Sequence, residues 1–300
     1  MDFQPTEEQR DLRAGVRSLL AGRYGREALR ASVESGTGVD RELWRELGEA
    51  GFFALRLPEA EGGVGLGLPE AVLVFEEAGR VLVPGPLVAT HLAAGVVPGA
   101  AAGTAVVTAS DLDGSLVAHW GDADAVLGLP GFASTPAEPV RSADPLTPLH
   151  RVASAPVSDA HRDEGALLTA ALQVGSALRT LELAVRYAGE REQFGRPIGA
   201  FQAVQHLCAR MLVRAEVART AVYAAAVTGH PGETAAAKLL ADKAAVRNAR
   251  DCLQVHGGMG FTWEADVHLH LKRAWVRAEQ WRTAGEAEEL LAVDLLAGAG

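Results

Sequence analysis

The sequence predicts a mainly α protein: a set of N-terminal helices, a short β-rich stretch, then an antiparallel bundle of long helices. Three observations predict it. Apolar residues recur at spacings of three and four in both flanking parts of the chain. The stretch between Gly99 and Asp159 instead holds short valine-rich runs and six of the fourteen prolines. After Asp163 the helical spacing returns and continues to the end. A chain of 300 residues that is 48% hydrophobic and 22% charged can bury a substantial core.

The first helix is expected over Thr6–Leu20, where Leu12, Val16, Leu19 and Leu20 share a face among charges, and the second over RELWRELGEAGF (41–52). A turn-rich stretch, LPEAEGGVGLGL, leads to Pro69, which suits the first position of a helix running through EAVLVFEEAGRVLV. The PGP at 84–86 stops that helix, and LVATHLAAGVV forms a short one after it. TAVVTAS, SLVAHWG and ADAVLGL read as short strands, and the prolines around them predict a small sheet with exposed edges. AALQVGSALRTLELAVRYAGE is apolar on nearly all sides, as a central bundle helix is. The next helix carries Val204, Leu207, Met211, Ala215, Ala218 and Val222 on one stripe, and its successor runs from the turn at 229–231 to the glycines after His256. Shorter helices over 264–281 and 286–297 close a three-part division at 1–97, 98–162 and 163–300.

Several functions are disfavoured. The net charge of −10, without a Lys/Arg stripe, disfavours nucleic acid as a partner. No apolar run is long enough for a lipid span, and Met1 leads into a polar helix, so the chain reads as cytoplasmic, with no membrane partner. Cys208 and Cys252 form no CxxC motif and read as buried apolar residues. His268 and His270, two apart on a helix, point in different directions and make no metal pair, so no metal is expected. GGVGLG at 62–67 does not follow a strand, which removes a dinucleotide fingerprint.

Two segments are richer in chemistry than their positions require. REQFGRPIGAFQ (191–202) joins two long helices, and in it Arg191 can grip a pyrophosphate through paired hydrogen bonds, Phe194 can lie against a ring system, and Gln193 and Gln202 offer donors and acceptors. A plain helix connection closed by Gly195 and Pro197 accounts for the same composition. QVHGGMGF (254–261) places Gly257 and Gly258 past a helix end, where backbone can approach a ligand or simply cap the helix. His256 beside them reads as an adenine contact or a surface imidazole.

In this order, with a helical pair between them, these segments resemble the acyl-CoA dehydrogenase family. GFFALRLPEAEGGVGLGLPEAVLVFEEAGRVL resembles that family's N-terminal half, so the similarity covers about 1–97 and 163–283. The resemblance implies an acyl-CoA dehydrogenase-like fold with an N-terminal helical domain, a β-sheet middle domain, here a reduced β middle region, and a C-terminal four-helix bundle, assembled as an oligomer. It implies FAD as cofactor and an acyl-CoA thioester as substrate, with a Glu taking the α proton while the β hydrogen leaves as hydride. Carried over by position, Arg191, Gln193, Phe194 and Gln202 match residues that reach a flavin held mainly by a neighbouring subunit. Gln254, Gly257 and Gly258 match adenine-side contacts, also made across the subunit boundary.

The base does not carry over. The family's usual Glu lies twenty residues after the Phe of the glycine motif, which from Phe261 is Trp281; the alternative lies twenty-nine before the Phe of the arginine turn, which from Phe194 is Gly165. Glu164 is adjacent, but one residue swings a side chain by about 100° around a helix. The family's T-E-x-x-A-G-S-D stretch is also missing, since SDLDG (110–114) has some of the letters without the pattern and reads as a turn between strands. What is lost is the part of the site a subunit builds for its own flavin, and what remains is the part it lends. The expectation is therefore a short subunit working with a catalytic acyl-CoA dehydrogenase partner. The alternatives are a self-sufficient homodimer using Glu164 or Glu279, and a non-catalytic scaffold.

Overall fold

The computed structural model describes residues 5–36, 38–112, 115–129, 131–152 and 159–297. Five helices come first: α1 (Glu7–Arg23), α2 (Arg26–Ser35), α3 (Arg41–Glu49), α4 (Leu68–Val81) and α5 (Leu87–Leu92). The start of α1 is fixed by a reciprocal cap, in which the Thr6 hydroxyl accepts from the Gln9 N–H and the Gln9 amide oxygen accepts from the Thr6 N–H. Asp40 caps α3 by accepting from the N–H groups of Glu42 and Leu43. The sequence reading passed over α2, because only Leu29 and Val33 are buried along it, and a single four-residue spacing is a faint periodic signal. Pro69 falls at the second position of α4 rather than the first, still within the turn whose N–H groups need no helical partner.

The three expected strands are β1 (Val107–Ala109), β2 (Leu116–Ala118) and β3 (Ala125–Leu127). Two more, β4 (Ala137–Val140) and β5 (Leu149–Val152), were hidden by their polar residues and by Pro139. β1 and β3 pair in parallel, while β2, β5 and β4 form an antiparallel sheet in that order. Pro139 thus lies on an edge strand, where a missing N–H costs no ladder bond.

The bundle follows as α6 (Asp159–Glu190), a hairpin of β6 (Glu192–Gln193) and β7 (Arg196–Pro197), α7 (Gln202–Thr228), α8 (Pro231–His256), α9 (Val267–Glu279) and α10 (Ala284–Ala297). On α7, Met211, Ala215, Ala218 and Val222 are buried and Val204 and Leu207 half-buried, so the expected stripe faces the core. α6 is held to the first helices by backbone contact with α4. A methyl group at Gly79 would lie 2.1 Å from the Leu172 carbonyl oxygen, and one at Gly175 would lie 1.9 Å from that of Glu76. α9 is tied to the β region by a buried ion pair of Arg273 with Asp144, whose carboxylate burial alone would raise but Arg273 holds below its ordinary range. Cys252 is buried and Cys208 half-buried, both free. Among the described residues, no helix is long and apolar enough to cross a membrane.

Candidate functional site

The residues singled out in the sequence fall into two places. One is the end of the bundle where α6 turns into α7. There Phe194 and Gly195 occupy the two-residue tip of the β6–β7 hairpin, with φ of 55° and 75°, the left-handed pair that matches the twist of the strands. Phe194 is 91% exposed, touching Phe201 edge-on at 6.1 Å between centroids. The Arg196 guanidinium covers the Phe201 ring at 4.2 Å. Arg191, Gln193 and Gln202 are exposed beside it. The Arg191 N–H continues the α6 ladder to the Tyr187 carbonyl at 2.8 Å, while Gln193 donates to the Glu192 carbonyl at 2.8 Å.

The second motif reaches the same end. Gln254, Gly257 and Gly258 are exposed at the close of α8, and Gly257 adopts φ 59° with ψ −139°, a conformation side chains exclude. A contact missed in the sequence joins the two motifs: Tyr187 stacks on His256, with centroids 4.2 Å apart and planes 20° from parallel. Tyr187 precedes Arg191 by four residues, one helical turn, which places it on the Arg191 side of α6, but no local spacing signals its contact with His256. The His256 ring also donates from Nδ1 to the Cys252 carbonyl at 2.8 Å.

The other place is where the family's base would stand. The two counted positions, Gly165 and Trp281, face each other. A methyl group at Gly165 would lie 2.3 Å from Trp281 Cδ2, so the indole occupies the space a side chain there would need. Trp281 is 4% exposed and sits at φ 63°, strained for a bulky residue. Its N–H donates to the Asp111 carbonyl at 2.5 Å, and the preceding Gln280 amide donates to Asp111 Oδ2 at 2.8 Å. SDLDG does lie between β1 and β2, with Asp113 and Gly114 outside the described residues, but Asp111 anchors the Trp281 loop as no simple turn residue would. Burial pushes its carboxyl up to about 7.

Beside Trp281 remains a cavity of about 30 Å³. A water needs roughly 10–15 Å³ by this measure, so the space takes two or three waters, not a flavin ring or acyl chain. Glu164 turns to the N-terminal helices, ion-paired with Arg56 and 3.7 Å from His91 Nε2. Burial drives His91 down to about 4, against the pull of Glu164. Glu279 is exposed at the end of α9. His270 is buried against Ser176 at 2.8 Å, whereas His268 stacks on Trp263. Among the described residues no three potential ligands cluster as a metal site.

Helices of this arrangement around a small β region, with an aromatic hairpin tip and a glycine cap at one bundle end, define an acyl-CoA dehydrogenase type of chain. The family described as "Acyl-CoA dehydrogenase, N-terminal domain" matches residues 6–110, and "Acyl-CoA dehydrogenase, C-terminal domain" matches 160–288. The acyl-CoA dehydrogenase IpdE2 of Mycobacterium tuberculosis is 40% identical, over 90% of this chain and 92% of that protein. The chain belongs to the acyl-CoA dehydrogenase family, and FAD is the cofactor that membership carries. FadE34, an acyl-CoA dehydrogenase of the same organism, is 34% identical over 98% of this chain but only 50% of its own length. A chain in the structure of the ChsE4–ChsE5 complex from Mycobacterium tuberculosis superposes with a TM-score of 0.83 at 25% identity, covering 99% of each chain.

Proposed function

We propose that this chain is the short subunit of a hetero-oligomeric acyl-CoA dehydrogenase, lending flavin contacts to a catalytic partner rather than supplying the base. The observation that carries this reading is the Trp281 indole packed on Gly165, which fills both base positions of the chain's own site with one apolar group. The exposed bundle end fits FAD where that pocket does not. It presents an aromatic ring on a fixed hairpin and a glycine corner with nothing within 4 Å of where a side chain would grow at Gly257 or Gly258.

In the assembled enzyme Arg191 would neutralise the pyrophosphate, Phe194 would lie against the ring system, and Gln193 and Gln202 would hydrogen-bond its polar edge. Gln254, Gly257 and Gly258 would pass the adenine side. Bound FAD supplies the hydride acceptor for α,β-desaturation of an acyl-CoA. Residues 163–300 are then the lending part and 98–162 the part reduced with the loss of an independent site. A relative seen in a two-component complex, and a longer relative of which this chain spans half, both suit a unit that works beside a second one.

The test is purification of the chain alone and with an acyl-CoA dehydrogenase encoded beside it. The chain alone should carry no flavin, and the pair should carry FAD at one per two chains. In the pair, Arg191→Ala should weaken FAD retention about 10- to 100-fold, the loss of one charge-assisted contact. A yellow chain that reduces an acceptor with acyl-CoA unaided overturns the proposal.

A further inference from the structure

The cavity beside Trp281 is closed to substrate, yet its wall carries charge that the chain does not balance. Arg273 and Arg277 are four residues apart on α9 and so share one face, and each is 3% exposed. Arg273 gives Nε to Asp144 and Nη1 to the Val83 carbonyl at 3.3 Å, but Nη2 is buried without a partner. The guanidinium of Arg277 has one long contact, 3.5 Å to the Leu172 carbonyl. A guanidinium stays protonated in a protein, so its charge must be met by something other than loss of a proton.

The neighbouring acids do not meet it. Asp144 already takes Arg273 and the Thr147 hydroxyl. Asp111 is engaged by Gln280 through one oxygen, while burial favours its neutral form. His119, also on the wall, faces Asp122 at 3.5 Å. With Asp111 at least half protonated at pH 7 and below, two cations against the one committed carboxylate leave a net positive charge in a space of about 30 Å³.

We propose that this cavity binds one small monovalent anion of halide size, held between Arg273 Nη2 and the Arg277 guanidinium. The volume excludes carboxylates with an organic tail, and the charge count excludes a divalent ion. The site is independent of whether a partner chain holds the flavin.

Thermal unfolding of the full chain at constant ionic strength tests it, with chloride or bromide exchanged against gluconate. Saturating halide should raise the midpoint by about 3 °C, as a ligand bound only to the folded state does. Arg277→Met should abolish the halide increment, whereas Arg186→Met, an exposed change elsewhere on α6, should keep it. Crystals grown in bromide should show an anomalous peak within hydrogen-bond reach of Arg277, and this decides the matter if Arg277→Met does not fold. Equal midpoints in chloride and gluconate, a halide increment that survives in Arg277→Met, or no bromide peak would each overturn the assignment.

Discussion

The Trp281 corner, where counting along the family's motifs places the base, and the hairpin end of the bundle, where it places the lent flavin contacts, are physical opposites. At Trp281 a large ring is 4% exposed, packed on a glycine and pinned through Asp111. At Phe194 a large ring is 91% exposed on a hairpin, touching its own chain edge-on at Phe201. Both residues hold left-handed backbone, but only the first recovers that strain through packing inside the chain. Under the proposed function, a pocket no longer used has been filled, while a surface still used has been kept open. That reading puts the missing contacts outside this chain.

The comparison can be broken most directly at the filled corner. Trp281→Ala should cost about 3–5 kcal/mol in denaturant unfolding, the usual loss for emptying a large aromatic from a core. A loss below about 1 kcal/mol would mean the ring is not a packing element. Asp111→Asn sharpens the same corner by pH. Its carboxyl titrates near 7 when folded and near 4 when unfolded, so the folded state holds the extra proton between those values and stability falls as pH rises through them. The variant lacks this dependence. Its stability relative to wild type should be level below about pH 4 and should gain about 2–4 kcal/mol by pH 8. His91 has the opposite sign, being depressed to about 4, and Glu76 the same sign, being raised to about 7, so the difference between the two proteins is the quantity to measure.

Gly165→Ala comes next, with an expected loss of about 1–3 kcal/mol from overpacking against the indole. In the Trp281→Ala background the sign should reverse to a gain of about 1 kcal/mol, because alanine then merely replaces a helical glycine. An unchanged penalty in both backgrounds would show that the two residues do not share the space.

Much of the fold was legible because long amphipathic helices repeat their signal many times. The α7 stripe from Val204 to Val222 is six residues saying the same thing, whereas α2 rests on Leu29 and Val33 alone. The strands β4 and β5 were illegible since an edge strand with Pro139 and a partner carrying His150 and Arg151 lack an apolar pattern. At the site, counting residues located Gly165 and Trp281 separately. Their contact joins α6 to the segment after α9, and no local spacing encodes a contact across more than a hundred residues. The same holds for Asp111, whose letters sit in a turn while its carboxyl and carbonyl serve a distant loop.

The tip of the β6–β7 hairpin also sets up a conflict between folding well and binding well. A two-residue turn of this kind favours asparagine before glycine, and a phenylalanine held at φ 55° forgoes about 1–2 kcal/mol. Phe194→Asn should therefore raise the midpoint of the isolated chain by a few degrees, the smallest shift expected here, while weakening flavin retention in the pair. If the proposed function holds, selection for thermal robustness of this chain by itself would erode a flavin contact made in the pair, so libraries built to stabilise it should be screened as the assembled pair.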